Sequence, residues 1–175
     1  MHEEELEDEL SHMYQEGSGA KAFDSSTFKE PIKNLQVHTP VEVRPTHSVA
    51  DAVALMNQKK VGCVLVTEGG KMVGIFTERD ILTRVFGKKD TEKLPVRDVM
   101  TAKPEAFQQE DSIAYVLNAM TVGGYRHVPV VDEKGKPVAV LSVKDIMGFI
   151  IEHFPEEVLN LPPEPIRKTE QREGA

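Results

Sequence analysis

Tryptophan is absent from this 175-residue chain, cysteine occurs once, and aromatic residues make up 6% of it. Each shortage excludes something. A lone cysteine, Cys63, cannot form an intrachain disulfide, and no CxxC pair or zinc-ligand spacing surrounds it. That usage fits a reducing compartment, so a cytoplasmic location is expected. With few aromatics, the core must be built from Val, Ile, Leu and Met. Long apolar runs are lacking too. Val61 to Val66 and Val128 to Val131 are far too short to span a bilayer, so no membrane partner is expected. The N-terminus, Met1-His2-Glu3-Glu4-Glu5, is acidic and has no apolar stretch behind it, unlike a secretory signal.

An excess of positive charge is also missing. The net charge is −8, and it is unevenly placed. Residues 1–30 carry nine acids against two bases, and residues 155–175 carry five against three. Between them the chain is close to neutral, with fifteen acids and sixteen bases. No basic footprint for nucleic acid exists, so no nucleic-acid partner is expected. A small anionic ligand held by a few local bases remains compatible with this balance.

What the chain does contain is a copy of itself. Gly74-Ile75-Phe76-Thr77-Glu78-Arg79-Asp80-Ile81-Leu82 returns as Ala139-Val140-Leu141-Ser142-Val143-Lys144-Asp145-Ile146-Met147. Val61 to Thr67 aligns with Tyr125 to Val131, His47-Ser48-Val49 with Asp111-Ser112-Ile113, and Pro31 with Pro95. One residue inserted near Glu133 separates the two offsets. Such a repeat implies a supersecondary unit too small to bury its own apolar face, paired with its copy. Two related units around a pseudo-two-fold axis also create two related clefts.

The periodicities give each unit the order β-α-β-β-α, an α+β fold. In the first, Val41 to Val43 alternates as a strand. Ser48 opens a helix with Asp51 at the capping-box spacing, and Val49, Ala52, Val53 and Met56 fall on its core face. Val61 to Thr67 and Lys71 to Phe76 form a hairpin around Gly69-Gly70, and Thr77 opens a second helix. The second unit repeats this order, with Ile113, Val116, Leu117 and Met120 buried and a turn at Asp132 to Gly135. The chain divides into an acidic flexible leader (1–30), a first repeat (31–91), a second repeat (94–154) and a proline-rich tail (155–175). Within the leader, Asp24 to Thr27 reads as linker.

The duplicated element [GA]-x-x-[ST]-x-x-D has two physical readings. Thr77 with Asp80, and Ser142 with Asp145, have the spacing of a helix cap, in which hydroxyl and carboxylate satisfy free backbone N–H groups. Ser48 and Asp51 share that spacing where no ligand is suspected. The same geometry also suits a ligand. A hydroxyl at a helix start favours an anion, and a carboxylate accepts hydrogen bonds from a vicinal diol such as ribose. Arg79 and Lys144 precede the two aspartates and bring positive charge. Gly74 would allow close approach of a ligand to the backbone.

With Asp98-Val99-Met100-Thr101 and Arg126-His127-Val128-Pro129-Val130-Val131-Asp132, these motifs resemble those of a tandem pair of cystathionine-β-synthase-type (CBS) domains, a stand-alone Bateman module. The resemblance covers about residues 31–154. It implies a regulatory module, usually dimeric, that binds AMP, ADP, ATP or S-adenosylmethionine between its repeats. No cofactor is required; the adenosine-type nucleotide is a regulatory ligand.

Carried over by position, the resemblance gives Asp80 and Asp145 the ribose rings, with Thr77 and Ser142 beside them. The Asp80 cleft would borrow Tyr125, Arg126 and His127, and the Asp145 cleft Gly62 and Cys63. Adenine would lie against the segments leading into the first strands, Val37, Thr39 and Val41 in one repeat and Thr101, Lys103 and Ala106 in the other. Arg126 and His127 would hold phosphate, although a histidine before Val-Pro is also a common hydrogen-bonded structural residue. Because Gly62 and Cys63 carry no charge, the Asp80 cleft is expected to bind a nucleotide more tightly. Met100 and Met120 read as core.

No nucleophile elbow, P-loop, HExxH or paired carboxylate motif is present, so no enzymatic activity and no metal are expected. The reading is a cytoplasmic sensor of an adenosine-containing ligand, homodimeric, that signals to an unidentified effector protein. The alternative is a dimerisation scaffold whose clefts are degenerate and unoccupied.

Overall fold

The computed structural model describes residues 26–87 and 90–153. Most of the leader and all of the proline-rich tail therefore lie outside the described residues. Contacts divide the chain into one unit spanning Ser26–Ile146 and another comprising both termini. In the second, the described residues are 147–153, the end of the last helix. All of the candidate site residues belong to the first.

Strand β1 (Glu42–Val43) leads to helix α1 (Val49–Lys59). Ser48 caps α1 with Asp51 in a reciprocal capping box, and Lys60 ends it in the left-handed conformation at φ 54°. Strands β2 (Cys63–Glu68) and β3 (Lys71–Thr77) form the hairpin, turning through Gly69 and Gly70 at φ 59° and 78°. Positive φ at both positions is what a tight hairpin turn demands. Helix α2 (Glu78–Asp80) passes at once into a π-turn, Ile81–Val85, closed by a hydrogen bond from Phe86 N–H to the Ile81 carbonyl.

The second repeat follows the same order: β4 (Thr101–Ala102), α3 (Ile113–Gly123), β5 (His127–Val131), β6 (Pro137–Ser142) and α4 (Val143–His153). Its hairpin is one residue longer, which accounts for the change of offset. There Asp132 Oδ1 accepts from the backbone N–H of both Lys134 and Lys136, and Gly135 takes φ 76°.

The two repeats exchange their lead-in segments. Sheet one has the order β1-β2-β3-β4, so the second repeat's first strand closes the first repeat's sheet. In the other direction, His38 bridges to Val140 of β6, while Phe107 bridges to Val130 of β5. The helix starts are shared in the same way. Val49 N–H donates to the Leu94 carbonyl and Ile113 N–H to Glu30; Val96 N–H donates to His47 and Ile32 N–H to Asp111. Each pair of bonds is related by the 64-residue offset of the sequence repeat, which is the pseudo-two-fold relation written in backbone hydrogen bonds. Donors at the start of one repeat's helix that would otherwise lack partners are satisfied by the other repeat.

That exchange corrects the linker reading of Ser26 and Thr27. Thr27 is buried in a 3-10 turn, Thr27–Lys29, packed on α3, and Glu30 supplies a carbonyl to the second repeat.

β2 buries both of its faces. Val64 and Val66 join Val43, Val49, Ala52, Met56 and Phe76 in one core cluster, while Cys63 and Leu65 join Ile75 and Val140 in another between the repeats. A strand covered on both sides reads as a continuous apolar run, as Val61 to Val66 does. Each fully buried aliphatic side chain contributes about 1.5–3 kcal/mol. Val53 and Leu117 are half-buried rather than fully inside. Met100 packs against the first core, as expected, and Met120 is buried.

Candidate functional site

The two Thr/Ser–Asp elements are built alike. Thr77 N–H and its hydroxyl both donate to Asp80 Oδ2, at 2.9 and 2.8 Å, and Asp80 N–H returns a 3.3 Å bond to Thr77 Oγ1. Ser142 N–H and hydroxyl donate to Asp145 Oδ2 at 2.7 and 2.8 Å, and Asp145 N–H returns a 3.4 Å bond to Ser142 Oγ. The capping reading is thus correct for both. It uses one carboxylate oxygen of each aspartate and leaves the other for a second role.

The second oxygen, Oδ1, meets a nitrogen-bearing side chain in both copies, but the two are not related by the repeat. Arg84 Nη1 lies 3.1 Å from Asp80 Oδ1 and also donates to the Val99 carbonyl and to Thr101 Oγ1. Thr101 in turn lies 3.5 Å from Asp80 Oδ1. In the other copy, His38 Nε2 approaches Asp145 Oδ1 to 3.0 Å. Both aspartate side chains are nearly buried, at 7% and 8% exposure.

Asp80 opens onto a cavity of about 330 Å³ between the repeats. Its lining includes Thr77, Arg79, Thr101, Tyr125, Arg126 and His127, together with Glu78, Arg84 and Glu105. Arg79 donates to the Gly124 carbonyl, and the Tyr125 hydroxyl donates to Glu105. Arg126 and His127 line one cleft together because β5 begins only at His127. The alternation of a pleated strand does not reach Arg126.

On the Asp145 side, a cavity of about 300 Å³ is lined by Thr39, Val41, Gly62, Cys63, Ser142 and Lys144. His38, Lys59, Lys60 and His127 complete its polar wall. Lys144 was expected here and Lys59 and Lys60 were not, so the second cleft is more basic than Gly62 and Cys63 implied. Lys59 and Lys60 come from the end of α1, four and three residues before Cys63, and sequence reasoning did not connect them with the site. Burial first, and then the charge of Glu78, push the Cys63 thiol up to about 12.

His127 stands between the clefts and lines both. A side chain at Gly62 would have its Cβ 3.0 Å from His127 Cε1, so a glycine there makes room for the imidazole. Burial holds the His127 pKa below its ordinary value. Glu78 and Asp145 oppose that shift, and Arg126 and Lys144 add to it.

Gly74 has a different reason from the one expected. A Cβ there would lie 2.4 Å from Met100 Sδ and 3.0 Å from the Thr101 carbonyl. The close approach is that of β4 and its methionine, within the sheet.

The CBS domain family model matches this chain twice, over residues 32–87 and 96–152. The chain belongs to the CBS domain family. A CBS domain-containing protein of Arabidopsis thaliana, CBSCBSPB1, is 33% identical over 114 residues, 64% of this chain; the chain spans about a fifth (21%) of that relative's length. The crystal structure of an uncharacterized conserved protein from Pyrococcus horikoshii is 30% identical, with a TM-score of 0.63, covering 69% of this chain and 92% of that one. A CBS domain protein from Pyrobaculum aerophilum, complexed with AMP, superposes with a TM-score of 0.63 over 70% of this chain and 97% of its own; at 24% identity it shows the shared fold.

The CBS pair brings most of the candidate residues to two places. Thr77, Arg79, Asp80, Thr101, Arg126 and His127 meet at the first cleft. Thr39, Val41, Gly62, Cys63, Ser142 and Lys144 meet at the second, beside Asp145. Val37, Lys103 and Ala106 lie on the same lead-in segments but line neither cavity. The segments are exchanged: Thr101 serves the Asp80 cleft, and Thr39 and Val41 serve the Asp145 cleft. Arg84 and His38 were missed by sequence reasoning. Arg84 carried a signal, since it stands four residues after Asp80 on one helical face; His38 carried none.

Proposed function

We propose that this CBS pair is a regulatory, non-catalytic sensor of an adenosine-containing ligand, AMP, ADP, ATP or S-adenosylmethionine, held in the clefts between its repeats. The observation that carries the reading is the division of labour in each aspartate. Oδ2 is fixed in the cap, and Oδ1 is reached from outside, by half-exposed Arg84 and Thr101 in one copy and by exposed His38 in the other. A ribose diol brings hydroxyl donors that suit that oxygen, with Thr77 or Ser142 beside it. The AMP complex of the Pyrobaculum aerophilum CBS protein supports the ligand class.

On this reading Asp80 and Asp145 grip ribose, while Thr101, Thr39 and Val41 border the base. Arg126, His127 and Lys144 face the 5′ substituent. Ligand binding would bridge the two repeats and shift the balance between arrangements read by an effector protein. Exposed apolar side chains at Leu82, Phe86 and Val122 support the expectation of a homodimer. Among the described residues, no helix is long and apolar enough to cross a membrane.

Equilibrium dialysis of the full chain against adenosine, AMP, ATP and GTP tests the proposal. Saturable binding of the adenosine compounds, weakened in Asp80→Asn and Asp145→Asn, is expected. No binding of any of them would favour the scaffold reading, in which the repeats serve dimerisation alone.

A further inference from the structure

The two clefts differ most in the charge that faces the 5′ side of a bound nucleoside. Around the Asp145 cleft stand Lys59, Lys60 and Lys144, with His38 and His127; among the described residues no carboxylate lines it, Asp145 stands beside it and Glu78 lies behind Gly62. None of the three ammonium groups has a hydrogen bond or ion pair among the described residues. Lys60, Gly62, His127 and Lys144 continue into an adjoining cavity of about 410 Å³, where Glu78 is the one carboxylate among the described residues. The cationic wall therefore extends beyond the space a nucleoside fills.

The Asp80 cleft is balanced. Arg79, Arg84 and Arg126 face Glu78, Asp80 and Glu105. Arg84 is committed to Asp80, and Arg79 is tied to the Gly124 carbonyl. Only the Arg126 guanidinium is without a partner among the described residues. A triphosphate here would meet Glu78 and Glu105 with little cation to offset them, and like charges at close range repel.

Resting on the reading that adenosine-type ligands fill these clefts, we infer that the clefts sort them by charge. The Asp145 cleft takes the di- or triphosphate. The Asp80 cleft takes a ligand whose 5′ group is neutral, zwitterionic or singly charged. This reverses the expectation drawn from Arg126 and His127 alone, which counted cations on one strand and not the acids opposite.

Calorimetric titration of the full-length protein with adenosine and with ATP, at low and moderate salt, tests the sorting. In Asp80→Asn, which leaves the Asp145 cleft intact, ATP is expected to bind at least about tenfold more tightly than adenosine, with a preference that shrinks as salt rises. In Asp145→Asn, ATP is expected to bind no more tightly than adenosine. The double variant Lys60→Met/Lys144→Met alters exposed side chains and spares the fold. It should weaken ATP about tenfold or more, and weaken adenosine far less. ATP binding unaffected by that double variant would mean that Lys60 and Lys144 face solvent rather than phosphate, and would overturn the inference. So would a tenfold preference for ATP in Asp145→Asn. Failure of the wild-type protein to bind either compound is a different result, because it rejects the sensor reading on which the sorting rests.

Discussion

His38 Nε2 lies 3.0 Å from Asp145 Oδ1, and the two residues come from opposite repeats. The imidazole is 72% exposed while the carboxylate is nearly buried. His38 therefore occupies the face of Asp145 that a ribose would need. His38→Gln replaces the imidazole with an amide that still donates a hydrogen bond. Ligand-free stability should change by less than about 1 kcal/mol, since a polar contact from so exposed a side chain is worth little. Adenosine affinity at the Asp145 cleft should rise about threefold, the size of a ~0.6 kcal/mol competitor. Calorimetry on an Asp80→Asn background reads that cleft alone. A fall in affinity would show that His38 holds the ligand rather than competing with it.

The proposed ribose role of the aspartates is separated from their capping role only through the ligand. Asp80→Asn and Asp145→Asn each disturb a cap in which Oδ2 accepts two hydrogen bonds, so ligand-free stability should fall by about 1 kcal/mol. The ribose role adds a loss of about 1.5–3 kcal/mol in affinity and erases the preference for ribose over 2′-deoxyribose nucleotides. A stability loss accompanied by an unchanged sugar preference would leave capping as the whole function of these residues.

Local chemistry made much of this legible in the sequence. The β-α-β-β-α order, the capping box at Ser48 and both hairpin turns follow from hydroxyl-to-acid spacing and from Gly69, Gly70 and Gly135. The meeting of Thr77, Asp80, Arg126 and His127 was implied by the resemblance to CBS domain pairs. What stayed hidden depends on the exchange of lead-in segments. Nothing local tells His38 that its neighbour is Asp145, or Gly74 that its neighbour is Met100. The basic wall of the Asp145 cleft was hidden for a related reason: Lys59 and Lys60 read as ordinary cations at a helix end, and only the turn after α1 brings them to the cleft beside Gly62. The π-turn after Asp80 was equally hidden, because the sequence from Ile81 to Val85 carries no breaker.

Cys63 should be chemically silent in the folded protein. It is buried, and its thiol is held up to about 12 by burial and by Glu78, so almost no thiolate exists near neutrality. A disulfide reagent such as dithiobis-nitrobenzoate should label the native chain only at the rate of unfolding and label it at once in denaturant. Occupancy of the Asp145 cleft should slow native labelling further. Rapid stoichiometric labelling of the native protein would show that β2 opens far more readily than its packing implies.

His127 should make stability depend on pH in one direction. Its folded pKa is held below the ordinary 6.5, first by burial and then by Arg126 and Lys144, with Glu78 and Asp145 pulling the other way. The unfolded chain therefore binds a proton on this residue at a pH where the folded chain does not. By linkage, the neutral imidazole's contribution is fully present above the unfolded pKa. It is lost as the pH falls below that value toward the folded pKa. Urea unfolding of the wild type should show lower stability at about pH 5.5 than at about pH 7.5, and His127→Gln should lack this part of the slope. The carboxylates contribute to both proteins alike, so the difference between the two curves isolates the imidazole. A saturating nucleoside triphosphate should shrink that difference, because phosphate beside His127 favours its protonated form and raises its folded pKa. Superimposable curves for the two proteins would show that His127 titrates as it does in the unfolded chain, and that the space between the clefts is open to water.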